Sequence, residues 1–369
     1  METHDATAVT DARSRLPGLD GLRAIAVLLV IFHHLCSQGT FGQWPGVAEV
    51  LKRGSFGVQI FFVLSGFLIT WLLLGEEARH GRISLGRFYF RRALRILPPA
   101  LLYIAVMFVL TLAGILAIGR RDFLYSLFFI RNAYGVGGDP QLAHYWSLAV
   151  EEQFYLTWPF AFLVLRGRVR LAATLALVGA LSVWRALPVV HFGVTAAGGQ
   201  GLLIGCVLAQ LRHLTPGTLD MRSPHVRTGV VLACAAVVAV VAFAGLPALE
   251  RSGSAQTLAL LAVGGLVTAV AQGPVTMVSP LLGAAPLEWI GRLSYSLYLW
   301  QQLFCWGPWP GSLAAGQWPF LVAASFLAAA ASYYGVEQPA LALRARLEPR
   351  IFPPGRRTPA SRIEPATTT

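Results

Sequence analysis

An apolar stretch near the start of the chain, LDGLRAIAVLLVIFHHL at residues 19–35, has the composition of a membrane span but keeps four polar side chains. These are Asp20, Arg23, His33 and His34. Charged or titratable groups in hydrocarbon cost several kcal/mol, so a span that retains them is a candidate functional site. At about 100° per residue, Arg23 and His34 share one helix face, about 16 Å apart along the axis, and Asp20 lies within about 40° of it. His33 points about 100° away from His34, which favours His34 as the functional histidine.

The composition predicts a membrane protein with many spans. The chain has 369 residues, of which 56% are hydrophobic and 12% charged, whereas a soluble domain carries about 25% charged residues. Stretches of about 20 apolar residues are long enough to cross a bilayer. We therefore expect an all-α integral membrane fold, a bundle of about ten transmembrane helices. The candidate spans are residues 20–37, 55–74, 97–118, 145–165, 171–188, 197–211, 228–246, 255–272, 289–306 and 316–336.

The distribution of arginine predicts the orientation. Cytoplasmic loops of membrane proteins are enriched in Lys and Arg, and most of these residues fall on one side if the N-terminus is cytoplasmic. Ten spans then leave both termini in the cytoplasm. We expect a cytoplasmic N-terminal tail at residues 1–18, a transmembrane domain at 19–339 and a basic, disordered cytoplasmic tail at 340–369.

The remaining bulk properties argue against other functional classes. The net charge of +12 comes nearly all from arginine and follows the membrane topology, so we expect no nucleic-acid partner. The cysteines, Cys36, Cys206, Cys234 and Cys305, lie in or beside apolar stretches without CxxC spacing. We expect them to be buried, with neither a disulfide nor a metal site.

A second candidate region is the predicted inner loop GRISLGRFYFRRALRILPP, residues 81–99. Positive-inside anchoring explains part of its charge. However, Arg91, Arg92 and Arg95 crowd one turn just before the third span, and Arg91 and Arg95 share a helix face. Guanidinium forks at a cytoplasmic opening suit phosphate or pyrophosphate.

The stretch HYWSLAVEEQFYLTWP, residues 144–159, enters the fourth predicted span from outside. Glu151 and Glu152 are either interfacial carboxylates favoured by the helix dipole or groups that orient an imidazole or bind acceptor hydroxyls. His34 lies at a compatible depth. Trp146 and Tyr155 are either membrane-interface anchors or surfaces on which sugars stack.

A polar stripe also runs along GRLSYSLYLWQQ, residues 291–302, which includes Tyr295 and Tyr298. A span with this many polar side chains faces a cavity or a neighbouring helix and not lipid. We therefore expect both tyrosines to line the interior.

Five segments in order resemble the membrane-bound acyltransferase 3 family of O-acyltransferases, which modify polysaccharides, lipopolysaccharide, peptidoglycan, glucans and some macrolides. The resemblance covers about Leu19 to Pro339, and it implies a ten-helix bundle. The segments are LDGLRAIAVLLVIFHH, GVQIFFVLSGFLIT, RRALRILP, WSLAVEEQFYLTWP and GRLSYSLYLW.

By position, the resemblance implies that the family's paired arginine and histidine are Arg23 and His34. The same comparison implies an arginine cluster at Arg91, Arg92 and Arg95, and a Trp-Ser and acidic set at Trp146, Ser147, Glu151 and Glu152. Two departures stand out. Gln301 replaces a histidine that many members have, and Gln200 stands near an expected acid. Because Gln cannot shuttle a proton, we expect no acid–base role for Gln301.

The resemblance implies transfer of an acyl group, expected to be acetyl, from cytoplasmic acyl-CoA to a hydroxyl of a cell-surface or exported glycan. The setting would be a bacterial-type inner membrane, with no permanently bound cofactor. His34 would be a general base or a transient acyl carrier, and the arginines would bind the CoA phosphates. Because an unpaired arginine in the bundle is costly, Arg23 should have a partner, and Asp20 on nearly the same helix face is one possibility. Trp146, Ser147, Tyr155, Tyr295 and Tyr298 would line the acceptor cavity.

Two alternatives remain open at this point. The acceptor of the same reaction is a macrolide or lipid, or the chain is a glycan or lipid transporter, since transporters also hide ionisable groups in their spans. The absence of a visible internal repeat argues against a transporter.

Overall fold

The computed structural model describes residues 18–134, 138–186, 193–215, 221, 223–244, 246, 253–273, 275, 278–306 and 311–353. Every regular element within these ranges is helical, in agreement with the expected all-α class. In chain order the α-helices are α1 Leu19–Ser37, α2 Pro45–Leu51, α3 Phe56–His80, α4 Leu85–Leu112, α5 Arg120–Leu127, α6 Pro140–Ala143, α7 Tyr145–Val164, α8 Gly167–Ala186, α9 Gly193–Leu214, α10 Pro224–Val238, α11 Gly253–Ala271, α12 Ser279–Leu282, α13 Ala285–Cys305, α14 Gly311–Ser332 and α15 Gln338–Ile351.

Short non-α turns connect or extend some of these helices. Lys52–Ser55 and Arg131–Tyr134 are 3-10 turns, and π-helical turns at Ala239–Phe243 and Tyr333–Glu337 extend α10 and join α14 to α15.

Seven helical segments in the described part of the chain are long and apolar enough to cross a membrane. The chain is therefore a multi-pass membrane protein. The segments are Leu19–Ser37, Pro45–His80, Leu85–Leu112, Gly167–Arg185, Pro224–Phe243, Gly253–Ala271 and Gln317–Ile351.

Helix α1 packs against α13 and α3, and α3 packs in turn against α9. Glycines at the crossings permit this close approach. A Cβ on Gly291 of α13 would meet the Asp20 backbone, and one on Gly66 of α3 would meet the Leu202 carbonyl of α9. Along the same pair of helices, His34 of α1 contacts Gln301 of α13.

Helix α4 is held against this core across its proline pair. Pro98 and Pro99 lie inside α4, where each removes a backbone donor from the helix. Near the prolines, the hydroxyl of Tyr295 donates to the Ile96 carbonyl at 2.9 Å, and that of Tyr145 donates to the Ala100 carbonyl at 2.7 Å.

The expectation of a disordered tail from residue 340 is wrong for its first part. Helix α15 extends to Ile351 and packs on α4. Arg91 Nε donates to Glu348 at 2.8 Å, and Arg87 donates to the Phe352 carbonyl at 2.9 Å. Ala, Leu and Arg in ALALRAR are compatible with a helix, and the contacts with α4 hold it in place. Residues 354–369 and the predicted N-terminal tail up to residue 17 lie outside the described residues.

The four cysteine thiols are free. Cys36, Cys206 and Cys305 are buried, as their apolar sequence context predicted, whereas Cys234 is only half-buried.

Candidate functional site

The imidazole of His34 is held by an amide of α13. Its Nδ1 lies 2.8 Å from Oε1 of Gln301, which is fully buried. The amide nitrogen of Gln301 donates to the Tyr298 carbonyl at 3.3 Å and to Oε1 of Gln302 at 3.2 Å. This network turns the amide oxygen toward His34, so we assign the imidazole proton to Nδ1 and the lone pair to Nε2.

His34 faces a cavity of about 810 Å³, which we call the His34 cavity. It lies at the end of the bundle where α1 ends and α3 and α7 begin. Its described lining contains histidines, cations, amides and aromatic rings but neither Asp nor Glu. The polar and aromatic lining residues are His33, His34, Lys52, Arg53, Ser55, Phe56, Gln59, His144, Trp146, Gln256, Tyr298, Gln302 and Trp306.

His33 also reaches this cavity but makes a different contact. Its Nδ1 lies 2.6 Å from the Lys52 carbonyl, in the turn that precedes α3. The ring of His34 instead packs edge-on against Trp306, with ring centres 5.2 Å apart. The two histidines therefore make different contacts but line the same cavity, so the preference for His34 over His33 stays a prediction.

At the other end of α1, Arg23 pairs with Asp20 at 2.6 Å. Both side chains are about one-quarter exposed. This confirms the predicted partner of Arg23. Arg23 also lies within electrostatic range of Arg95 and Tyr155.

The predicted arginine cluster divides into two parts. The Arg92 guanidinium lies 5.0 Å from the centre of the Tyr155 ring and within electrostatic range of Arg95, Glu151 and Glu152. Arg91 points to α15 instead, where it is bound to Glu348. Arg23, Arg92, Arg95, Glu151 and Glu152 thus form one group, which we call the arginine–carboxylate cluster.

The carboxylates of α7 belong to this cluster and not to His34. Glu151 accepts a hydrogen bond of 2.8 Å from the Ser65 hydroxyl of α3, and Glu151 and Glu152 are both partly exposed. The sequence suggested that one of them would orient the imidazole. In the structure that partner is Gln301, because α13 packs directly beside α1 and places its amide there.

The predicted acceptor residues occupy four different environments. Trp146 and Tyr298 line the His34 cavity. Ser147 is buried behind it, 2.5 Å from the Tyr298 hydroxyl. Tyr155 lies under Arg92 in the arginine–carboxylate cluster, and Tyr295 binds the backbone of α4.

Two functional candidates were missed from the sequence. The sequence predicts no acid–base role for Gln301, and it does not reveal that the Gln301 amide fixes the tautomer of His34. The sequence gives His144 no role beyond its place in the motif at residues 144–159, yet it lines the His34 cavity. The only available signal was a histidine placed next to an aromatic and acidic motif.

Gln200, the second departure from the family pattern, lies at the centre of a polar cluster between helices. It is fully buried, accepts from Arg185, and donates to Ser182 at 2.7 Å and Thr257 at 3.0 Å. Arg185 also binds Gln256, which lines the His34 cavity.

A structured connection before α7 closes the cavity on one side. Asp139 caps α6 by accepting from the Gln141 N–H at 2.9 Å. Burial raises the pKa of Asp139, while this hydrogen bond and the charge of Arg131 oppose the rise.

Among the described residues, no group of three His, Cys, Asp or Glu side chains could hold a metal ion.

Comparison with known proteins identifies relatives across the transmembrane region. OatA of Staphylococcus aureus (strain NCTC 8325 / PS 47), named an O-acetyltransferase, is 32% identical over 319 residues, covering 77% of this chain and 50% of OatA. YrhL of Bacillus subtilis (strain 168), provisionally named a peptidoglycan O-acetyltransferase, is 33% identical over 317 residues, covering 77% of this chain and 48% of YrhL. The peptidoglycan O-acetyltransferase OatA of Listeria monocytogenes (serovar 1/2a, strain ATCC BAA-679 / EGD-e) is 31% identical over 320 residues, with 78% and 49% coverage.

The chain therefore spans about half the length of these curated relatives. No solved structure matches it significantly. The family model of acyltransferase 3, described as an acyltransferase domain, matches residues 16–336 and includes every site residue described above except Glu348 in α15. The chain belongs to the acyltransferase 3 family.

Proposed function

We propose that this protein is a membrane O-acyltransferase that moves an acyl group, expected to be acetyl, from cytoplasmic acyl-CoA to a hydroxyl of a cell-surface or exported glycan. The observation that carries the proposal is the hydrogen bond between His34 Nδ1 and Gln301. This bond leaves Nε2 of His34 available as a proton acceptor at the His34 cavity. The family and the names of the relatives supply the acyl-transfer chemistry.

The reaction uses His34 as general base and then as general acid. Nε2 takes the proton of the acceptor hydroxyl while the hydroxyl oxygen attacks the carbonyl carbon of the thioester. The tetrahedral intermediate collapses, the C–S bond breaks, and the leaving thiolate takes the proton from His34. The products are the O-acyl ester and the free thiol of CoA, and the imidazole returns to its starting tautomer. General acid–base catalysis of this type contributes about 10²–10⁴-fold.

The arginine–carboxylate cluster is the proposed binding site for the CoA phosphates. Arg92 and Arg95 lie together on the side of α4 that faces Arg23 and α7. Guanidinium groups bind phosphate oxygens in paired, charge-assisted hydrogen bonds. The distance of about 16 Å between Arg23 and His34 along α1 is one that the extended pantetheine arm of CoA can bridge.

The acceptor would enter the His34 cavity from the opposite side. Trp146, Tyr298 and Trp306 supply aromatic surface of the kind that stacks against sugar rings, while Gln302 supplies an amide. A glycan acceptor agrees with the names of the OatA relatives, one of which is a peptidoglycan O-acetyltransferase.

The proposal includes a bundle of about ten spans with both ends in the cytoplasm of a bacterial-type inner membrane. Besides the seven most apolar segments, α7, α9 and α13 would also cross. They carry interior polar residues such as Glu151, Gln200 and Gln301, which lower their hydropathy without exposing charge to lipid.

The test is acyl transfer from labelled donor. Membranes containing the protein are incubated with [¹⁴C]acetyl-CoA and soluble peptidoglycan fragments, and base-labile label in the glycan fraction is counted. We expect ester-linked label that depends on the protein. Glycan movement across the membrane without any base-labile label would overturn the proposal and favour transport.

A further inference from the structure

A second histidine, His144, lines the His34 cavity. It is only 4% exposed, and within the described part of the chain neither Nδ1 nor Nε2 has a hydrogen-bond partner. It lies close enough to His34 for the two rings to interact electrostatically. A buried polar group without a partner costs about 1–3 kcal/mol. A ligand in the cavity would remove this cost.

The position of His144 is fixed without any use of its ring nitrogens. Its carbonyl accepts the Ser147 hydroxyl at 3.0 Å and the Tyr298 hydroxyl at 3.5 Å. Its ring packs edge-on against Tyr103 at 5.2 Å and Tyr145 at 4.9 Å between centres. The imidazole is therefore preorganised by packing. The hydroxyls of Ser147 and Tyr298 hold the backbone of His144 in place.

We propose that His144 is a second catalytic residue, whose ring N–H donates a hydrogen bond to the acyl carbonyl oxygen as that oxygen gains negative charge. The inference rests on the proposed acyl-transfer function. An imidazole always carries an N–H in at least one position, and donors preorganised at a developing oxyanion stabilise the transition state. The ligand recognised is thus the carbonyl of a thioester or ester.

The two histidines are suited to different roles. Gln301 fixes the tautomer of His34, which makes Nε2 of His34 the base. No described side chain fixes the tautomer of His144, so it can present an N–H to the carbonyl. In the balanced reaction, His34 takes and returns the hydroxyl proton, while His144 keeps its own proton throughout and only shares it with the oxyanion.

A set of variants separates donation from packing. His144→Leu removes the donor and keeps an apolar side chain among the aromatic rings. His144→Asn and His144→Gln place an amide N–H near the positions of Nδ1 and Nε2, respectively. His80→Leu, at the exposed end of α3, is the control. Each purified protein is checked for its thermal unfolding midpoint and assayed with [¹⁴C]acetyl-CoA and soluble peptidoglycan fragments.

We expect kcat of His144→Leu to fall by about 10²–10³-fold with the KM for acetyl-CoA within about threefold of wild type. At least one of His144→Asn and His144→Gln should have a kcat about tenfold or more above that of His144→Leu. Its activity should still fall at acid pH, because that limb of the pH profile belongs to His34.

Wild-type kcat in His144→Leu would overturn the inference while leaving the proposed function intact. The inference would also be overturned if all three variants lost kcat equally and their residual activity no longer fell at acid pH, since His144 would then act as a base. Absence of transfer by the wild-type protein would overturn the proposed function and the inference together.

Discussion

At the scale of single residues, the Gln301 amide is the contact that gives His34 its direction. Replacing Gln301 with Leu leaves the Nδ1–H of His34 without its acceptor at a partly buried position. The unpaired group costs about 1–3 kcal/mol, and the imidazole is freed to adopt the wrong tautomer. We expect kcat for acyl transfer to fall by about 10–100-fold, measured with labelled acetyl-CoA.

Gln301→Glu is the matched control, because a carboxylate oxygen can accept from Nδ1 at the same place. We expect it to keep more activity than Gln301→Leu. If the two variants were equally active, the hydrogen bond would have no part in orienting His34.

Local geometry explains why part of the site could be predicted. Arg23, Asp20 and His34 belong to one helix, so periodicity alone places them on one face. The Gln301 contact could not be predicted in this way, because 267 positions separate it from His34 along the chain. This contact depends on how α1 and α13 pack. In addition, Gln301 replaces a histidine that many family members have, so the family pattern does not indicate an amide at this position.

At the scale of helices, α4 presents its arginines in two directions. Arg95 faces the arginine–carboxylate cluster, whereas Arg91 is bound to Glu348 of α15 and is nearly half-exposed. We expect Arg95→Ala to raise the KM for acetyl-CoA by about tenfold or more, since charge-assisted hydrogen bonds contribute about 1.5–3 kcal/mol.

Arg91→Ala is the comparison for this prediction. It should leave the KM within about twofold of wild type, because exposed ion pairs contribute at most about 1 kcal/mol and Arg91 points away from the cluster. Steady-state kinetics at varied acetyl-CoA measures both. A larger effect at Arg91 than at Arg95 would contradict the division of the arginines.

The crossing of α3 and α9 depends on Gly66. A Cβ there would meet the Leu202 carbonyl of α9, whereas a Cβ on Gly75 of the same helix meets only the flexible Arg79 side chain, at 3.6 Å. We expect Gly66→Ala to destabilise the protein by about 1–3 kcal/mol through overpacking. Gly75→Ala should be neutral or stabilising by up to about 1 kcal/mol. Thermal unfolding of the purified variants measures this difference, and the opposite ranking would contradict the packing.

The length of the apolar segments predicted the positions of the long helices, but it did not predict helix α15. Its prolines and arginines suggested disorder, yet α14 continues into it through a π-helical turn and α4 provides Arg91 for Glu348. Tertiary contacts therefore decide the order of this segment, and composition alone could not show them.

At the scale of the whole molecule, the proposed orientation makes a simple prediction about access. Glu49 in α2 and Arg82 before α4 are both exposed, and α3 lies between them. With the N-terminus in the cytoplasm, Glu49→Cys should react with a membrane-impermeant maleimide in intact cells. Arg82→Cys should react only after permeabilisation. Because the native thiols are buried or half-buried, the unsubstituted chain is the background control. The reverse labelling pattern would contradict the orientation.

The central claim is that His34 moves the proton in acyl transfer, and its direct test is the activity of His34→Ala with [¹⁴C]acetyl-CoA and soluble peptidoglycan fragments. The purified variant must first match wild type in its thermal unfolding midpoint. We predict that base-labile label in the glycan falls by about 10²–10⁴-fold relative to wild type. Label transfer at the wild-type rate by a correctly folded His34→Ala protein would contradict the account.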